Sequence, residues 1–340
     1  MSAPMDLPGE KLVIRLWETV EKAFTGWLSP WQTRRTGRAQ IDVKRAERLA
    51  VAQAEQAIAD IRAGRKHYTD DHRLLEGPAP TAELAARGEL PWGTLVEAAQ
   101  GNAILDRMRA DVNVRQALLN AEEALENDQQ QPPDRAVDED WLFRWRDSAG
   151  KVSSEDLRIL WGRVLAGEIK SPGTFSLRTL EFLKNVSQEE AQHIEKLAPF
   201  VINGNFVCNE GRAKETLEAE GITLGFLLML EDLGVVSGIG GHLQHIIRST
   251  GSKEFSVSLV AYDRALLVAT DDPSKTVRLK AYAVTSLGSQ VLRLGAFRAH
   301  TEYLRCVGEA IKRHGGFKVL LARACKDFCV FEPYPEPLER

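Results

Sequence analysis

A change of hydrophobic period near residue 200 constrains this chain more than any other feature. Before it, apolar residues recur at three- and four-residue intervals. After it, "HLQHIIRS" (242–249), "FSVSLVAYDRALLVATD" (255–271) and "TVRLKAYAVTSLGSQVLRLG" (276–295) alternate or run in short β-branched stretches. A period of 3.6 places apolar residues on one side of a helix, and a period of two places them on one face of a strand. The expected fold class is therefore mainly α with a C-terminal α+β part. That part closes with a last helix, Thr301 to His314, the strand "FKVLLAR" and a loose tail from Glu332; before them, "GITLGFLLMLEDLGVVSG" (221–238) reads as a buried helix running into a strand, followed by a strand hairpin and a strand that turns into a short helix within 276–295. That order is the pattern of a winged-helix-like unit.

The helical half divides by its breakers. "GEKLVIRLWETVEKAFTGWL" (9–28) is one amphipathic helix whose apolar face carries Leu12, Leu16, Trp17, Val20, Phe24 and Trp27, with Trp31 just beyond Pro30. A second helix, Gly37 to Ala63, opens beside Arg34, Arg35, Arg38, Lys44, Arg45 and Arg48, a local basic run. Prolines and glycines crowd residues 64–93 and imply a loop, a third helix runs from Thr94 to Asn127, and "NDQQQPPDR" (127–135) reads as a linker. Short helices follow over Asp138–Ala149, Ser154–Ile169 and Ser176–Lys184, and a capping box at Ser187 and Glu190 opens another as far as Pro199. The expected organisation is 1–63 amphipathic and basic helices, 64–127 loop plus helix, 128–136 linker, 137–200 helical signature module, and 201–340 winged-helix-like domain.

Residues 138–201, "DEDWLFRWRDSAGKVSSEDLRILWGRVLAGEIKSPGTFSLRTLEFLKNVSQEEAQHIEKLAPFV", resemble the bacterial domain-of-unknown-function family 2806, and "AYAVTSLGSQVL" (281–292) resembles the end of that family's C-terminal portion. The same helical core is more distantly similar to abortive-infection proteins of the alpha type. The first resemblance implies no settled activity. The second implies bacterial defence against phage.

The signature is weighted toward scaffold. Its distinctive residues, Trp141, Leu160, Trp161, Leu165, Gly167, Pro172, Phe175 and Leu180, do no acid, base or nucleophilic chemistry, and the apolar ones recur at helical spacing. Gly162 and Gly167 would let a neighbouring helix approach. A rival reading makes "KSPGTFS" (170–176) an anion-binding turn.

With 340 residues, 44% apolar content and a net charge of −4, the chain can bury more than one core and lacks the overall basic excess of a nucleic-acid coat. Four cysteines (Cys208, Cys306, Cys325, Cys329) show no disulfide or zinc spacing. His242 with His245, and His67 with His72, lack further ligands at metal spacing, and no catalytic or nucleotide-binding motif appears. The expectation is a cytoplasmic, non-enzymatic protein with no cofactor, no metal and no small-molecule substrate, which meets a protein partner or itself. The tryptophan face and basic run would also suit a peripheral contact at the inner membrane face. Nucleic acid is the less favoured partner, because "TLGFLLMLEDL" (223–233) has no arginine, lysine, asparagine or glutamine for base edges, although Arg248, Lys253, Arg264, Lys275, Arg278 and Lys280 could touch phosphates.

Overall fold

A computed structural model describes residues 9–24, 40–68, 74–77, 92–152, 154–249, 251, 253–324 and 336–337. The chain divides into two compact units, Met1–Leu180 and Glu181–Arg340.

The first unit is built on α1 (Glu10–Ala23), α2 (Gln40–Arg62), the hairpin of β1 (Lys66–Tyr68) and β2 (Leu74–Glu76), α3 (Trp92–Leu125), α4 (Glu139–Gly150) and α5 (Glu155–Lys170). Helix α1 buries Leu12, Leu16 and Val20 at intervals of four, with Phe24 at its end, and packs on α3, α4 and α5. Its cap, Gly9, holds a left-handed φ of 81° where a side chain would strike the Leu125 carbonyl, so only glycine fits. A close crossing joins α3 to α5. There a β-carbon on Gly162 would lie 2.7 Å from Asn120 Cβ and 2.9 Å from the Ala117 carbonyl oxygen, so the missing side chain sets how closely the helices approach. Asn113 ties the same helices to α4: its amide donates to the Gly150 and Val152 carbonyls and its oxygen accepts from Arg158, which in turn pairs with Glu55 on α2 at 2.6 Å.

The division falls within α6 (Leu177–Asn185). The second unit continues through α7 (Gln188–Leu197), a 3-10 turn at Ala198–Phe200, β3 (Phe206–Cys208), α8 (Arg212–Ala219), α9 (Leu224–Asp232) and β4 (Val236–Ser237). Then come β5 (Gln244–Arg248), β6 (Phe255–Ala261), β7 (Arg264–Thr270), β8 (Thr276–Val284), α10 (Ser286–Leu292), α11 (Thr301–Arg313), β9 (Lys318–Arg323) and β10 (Glu336–Pro337). Two antiparallel sheets result. One has the order β10-β9-β7-β6; in the other, β8 pairs with β3 and β4 through its C-terminal half and with β5 through its N-terminal half. Alternation explains the latter: β8 buries Val277, Leu279 and Ala281 and exposes Thr276, Arg278 and Lys280. Amphipathic α11 packs on both β7 and β8, and its buried Tyr303 hydroxyl donates to the Cys208 carbonyl at 2.9 Å.

The mainly α architecture with a C-terminal α+β part is thus what the chain adopts, and most helix bounds fall within two residues of expectation. Five features differ. The expected linker at 128–136 lies inside the first unit, because Lys170 of α5 pairs with Asp128 and its carbonyl accepts from Gln130 at 2.8 Å. The expected module at 137–200 is divided at Leu180 rather than ended at residue 200. The expected loop at 64–93 contains the β1–β2 hairpin, and residues 336–337 of the expected loose tail pair with β9. The α1 helix ends at Ala23 rather than Leu28, and residues 25–39 lie outside the described residues.

Candidate interaction surface

The signature residues meet inside the first unit. Trp141, Trp161, Leu165 and Phe175 are buried, Leu180 is buried at the start of α6, and Leu160, Gly167 and Pro172 are half-buried. Both indoles of α4 bond across the module: Trp141 Nε1 donates to the Phe175 carbonyl at 2.7 Å, and Trp145 Nε1 to the Trp161 carbonyl at 2.9 Å. Gly167 serves an aromatic ring rather than a helix, since a β-carbon there would lie 2.7 Å from the Phe175 ring.

The turn after α5 does bind an anion, and the anion is internal. Buried Glu168 accepts the backbone N–H of Gly173 and, at 2.9 Å, that of Phe175. Burial raises its carboxyl above the ordinary range, against the lowering pull of the backbone N–H groups of Gly173, Phe175 and Thr174 and the charge of Arg135. Those amides are therefore not offered to a ligand. Asp138 caps α4 through the Trp141 N–H, and the neighbouring Glu139 pairs with Lys22 of α1 at 3.8 Å. Glu168 and Asn113 carry no pattern in the sequence, because a buried polar node is defined by the groups that converge on it.

On α1, Leu12, Leu16, Val20 and Phe24 face inward and Trp17 is half-buried, while Trp27 and Trp31 lie outside the described residues. Of the basic run, Arg34, Arg35 and Arg38 lie outside as well, Lys44 and Arg45 belong to α2, and exposed Arg48 pairs with Glu123 at 3.0 Å. Among the described residues no helix is long and apolar enough to cross a membrane, and no three histidine, cysteine or acidic side chains gather as metal ligands. His67 Nδ1 lies 3.1 Å from the Gly77 carbonyl oxygen, His245 stacks on Phe206, and His72, Cys325 and Cys329 fall outside. Cys208 and Cys306 are buried, and burial pushes the Cys208 thiol up to about 12.

Two surfaces of the second unit are built for exposure. Helix α9 starts at Thr223, whose hydroxyl accepts the Phe226 N–H, and ends in a left-handed Gly234 that lets Val235 bond back to the Leu230 carbonyl. Leu227 and Leu230 fill the core, and Phe226 is flanked by His193 and Lys196 of α7. The opposite side shows Leu224, 59% exposed, and Leu228, 44% exposed, one turn apart with Gly225 between them.

The second surface is the β5–β8 ribbon. Cross-strand partners share a face, so the pairs Gln244–Lys280, Ile246–Arg278 and Arg248–Thr276 place six exposed side chains together, while His245, Ile247, Val277 and Leu279 turn to the other side. None of the six is acidic. Of the acids that the sequence places among these cations, Asp272 bonds Ser274 of its own turn, Asp263 accepts the Ala299 N–H and Asp271 is exposed, while Glu210 accepts the Lys280 backbone N–H at the β8 edge.

Compared with known protein families, residues 104–307 match the one described as "Protein of unknown function (DUF2806)". The chain belongs to this family. The match runs from within α3 to within α11 and so includes both indole bonds, the Glu168 turn, α9 and the ribbon. No curated protein and no solved structure matches the chain.

Proposed function

We propose that this family member is a non-enzymatic interaction protein that docks a protein partner through α9. The observation that carries this reading is the exposed Leu224–Leu228 pair on a helix without a single basic or amide side chain. Apolar surface held in water by a well-capped helix gains free energy when a partner covers it, at roughly 25 cal/mol per Å². Two buried titratable groups among the described residues are occupied in structural bonds, which supports a role other than catalysis: Glu168 holds a turn, and Tyr303 holds β3. The proposal extends to cytoplasmic defence against phage, on the resemblance of the helical core to abortive-infection proteins of the alpha type read in the sequence, with the N-terminal region contributing self-association or, through the basic run at Arg34–Arg48, a peripheral membrane contact.

The order α7, β3, α8, α9, β4 and ribbon supports a winged-helix description of the second unit, and with it a second reading, a winged-helix DNA-binding regulator. The apolar α9 stands against base readout in that role.

Site-specific photo-crosslinking from position 228, in cells that make the intact protein, tests the proposal. A discrete protein adduct from position 228, absent when the crosslinker sits at exposed Lys214, is expected. Absence of any adduct from positions 224 and 228 in a folded protein would overturn it, as would nanomolar, sequence-selective retention of one duplex at physiological salt.

A further inference from the structure

We infer that the outward face of the β5–β8 ribbon grips the phosphate backbone of duplex DNA without reading its sequence. Three cations, Arg248, Arg278 and Lys280, lie on one face with Gln244 and Thr276 as neutral hydrogen-bonding neighbours, and Ile246 is the single apolar member. Residues two apart along a strand are spaced about 6.6 to 6.8 Å, and neighbouring strands lie about 4.7 to 4.9 Å apart, so the charges form a regular array rather than a pocket. Such an array complements a regular polyanion. Guanidinium groups match phosphate oxygens with two parallel hydrogen bonds, and two of the three cations are arginines.

The face also lacks what other partners require. Protein interfaces draw most of their energy from aromatic or apolar anchors in desolvated pockets, and none of the six side chains on this face is aromatic. Single-stranded nucleic acid is held by stacking bases on aromatic rings, which are missing here as well. A two-stranded ribbon fits against the wide major groove of B-form DNA but not the deep, narrow one of duplex RNA. The sequence offers these three among six cations that could touch phosphates; only the register of β5 on β8 brings Arg248, Arg278 and Lys280 onto one face.

The test uses the intact protein and several unrelated 30-base-pair DNA duplexes in fluorescence anisotropy over a salt series. Equal affinity for all duplexes at low salt is expected, with log K falling against log salt at a slope of about −2 to −3, as release of counterions by up to three contacts requires. The variant R248Q/R278Q/K280Q alters exposed side chains only, keeps the parent's melting temperature, and should lose at least tenfold in affinity while its slope moves toward zero. Four results would overturn the inference: no duplex binding by the folded protein at low salt, binding unchanged in the folded triple variant, tighter binding of duplex RNA, or tighter binding of an acidic peptide such as polyglutamate. Because α9 is untouched in this variant, loss of DNA binding with the Leu228 crosslink retained separates this surface from the proposed protein-docking one.

Discussion

Glu168 and Phe175 are joined in one bond and one close packing arrangement: the Glu168 carboxylate accepts the Phe175 N–H at 2.9 Å, and the Phe175 ring lies over Gly167, the residue before Glu168. The turn between α5 and α6 is thereby closed by an internal anion. Replacing Glu168 with Gln turns one acceptor into a donor that faces a backbone N–H, leaving a buried donor unpaired at a cost of about 1 to 3 kcal/mol. Urea unfolding of E168Q should show that loss with an unchanged m-value.

The same carboxyl has a pH signature. Its folded-state pKa is raised above the ordinary 4.5, chiefly by burial, so the folded chain takes up this proton before the unfolded chain does. Protonation is then linked to folding: this contribution is fully present below 4.5 and is lost as the pH rises through the raised value. The stability difference between the parent and E168Q should therefore widen as the pH is lowered through that window. A difference that stays flat from pH 7 to 4 would contradict the linkage.

The α3–α5 crossing makes a sharper test of packing. Trp161 is 1% exposed, and its truncation to Ala should cost about 3 to 5 kcal/mol. Gly162→Ala adds one methyl group where Asn120 Cβ would be 2.7 Å away, so the helices must part, at a cost of about 1 to 3 kcal/mol. An enlargement and a truncation at adjacent positions should both lower the chemical midpoint. A neutral Gly162→Ala would show that the crossing is looser than its geometry states.

How far the sequence revealed this molecule depends on the kind of signal. Stripes such as Leu12, Leu16 and Val20, the Ser187–Glu190 box and the alternation in β8 are written locally, and each appears where its period or spacing predicts. Helix α8 and β3 were not legible: α8 buries only Ala213 and Leu217 and exposes charged residues, and a three-residue strand is too short to show a period. The polar segment at 128–136 reads as a linker because composition cannot show Lys170 pairing with Asp128 from 42 residues away, a bond that, with the Gln130 N–H, outweighs burial and lowers the Asp128 carboxyl. The ribbon face likewise exists only after register is set.

His245 offers a pH test in the opposite direction. Its ring stacks on Phe206 with centroids 3.9 Å apart, and burial holds its pKa below the ordinary 6.5. The unfolded chain takes up this proton first as the pH falls. The contribution is therefore full above 6.5 and is lost as the pH falls through the lowered value. His245→Phe keeps an aromatic ring on Phe206 and removes the proton site, so its melting temperature should fall less than the parent's between pH 7.5 and 5.5.

The last prediction concerns α1, whose apolar stripe cannot serve the core and a lipid surface at once. Leu12, Leu16 and Val20 are fully buried, and the exposed positions Lys11, Ile14, Glu18, Glu21 and Lys22 are mostly charged with both signs. A helix in a membrane interface would need to withdraw that stripe from α3, α4 and α5, giving up about 1.5 to 3 kcal/mol for each large aliphatic side chain. Leu16→Ala should accordingly destabilise the fold by about 2 to 5 kcal/mol. Its effect on sedimentation with anionic vesicles separates the two uses. If α1 serves the core alone, the intact parent stays in the supernatant at physiological salt and the variant merely melts earlier. If α1 exchanges between core and lipid, the variant has less apolar surface to offer the interface but a weaker hold on the core, and the parent itself must sediment with anionic but not neutral vesicles. The burial of the whole stripe predicts the first outcome.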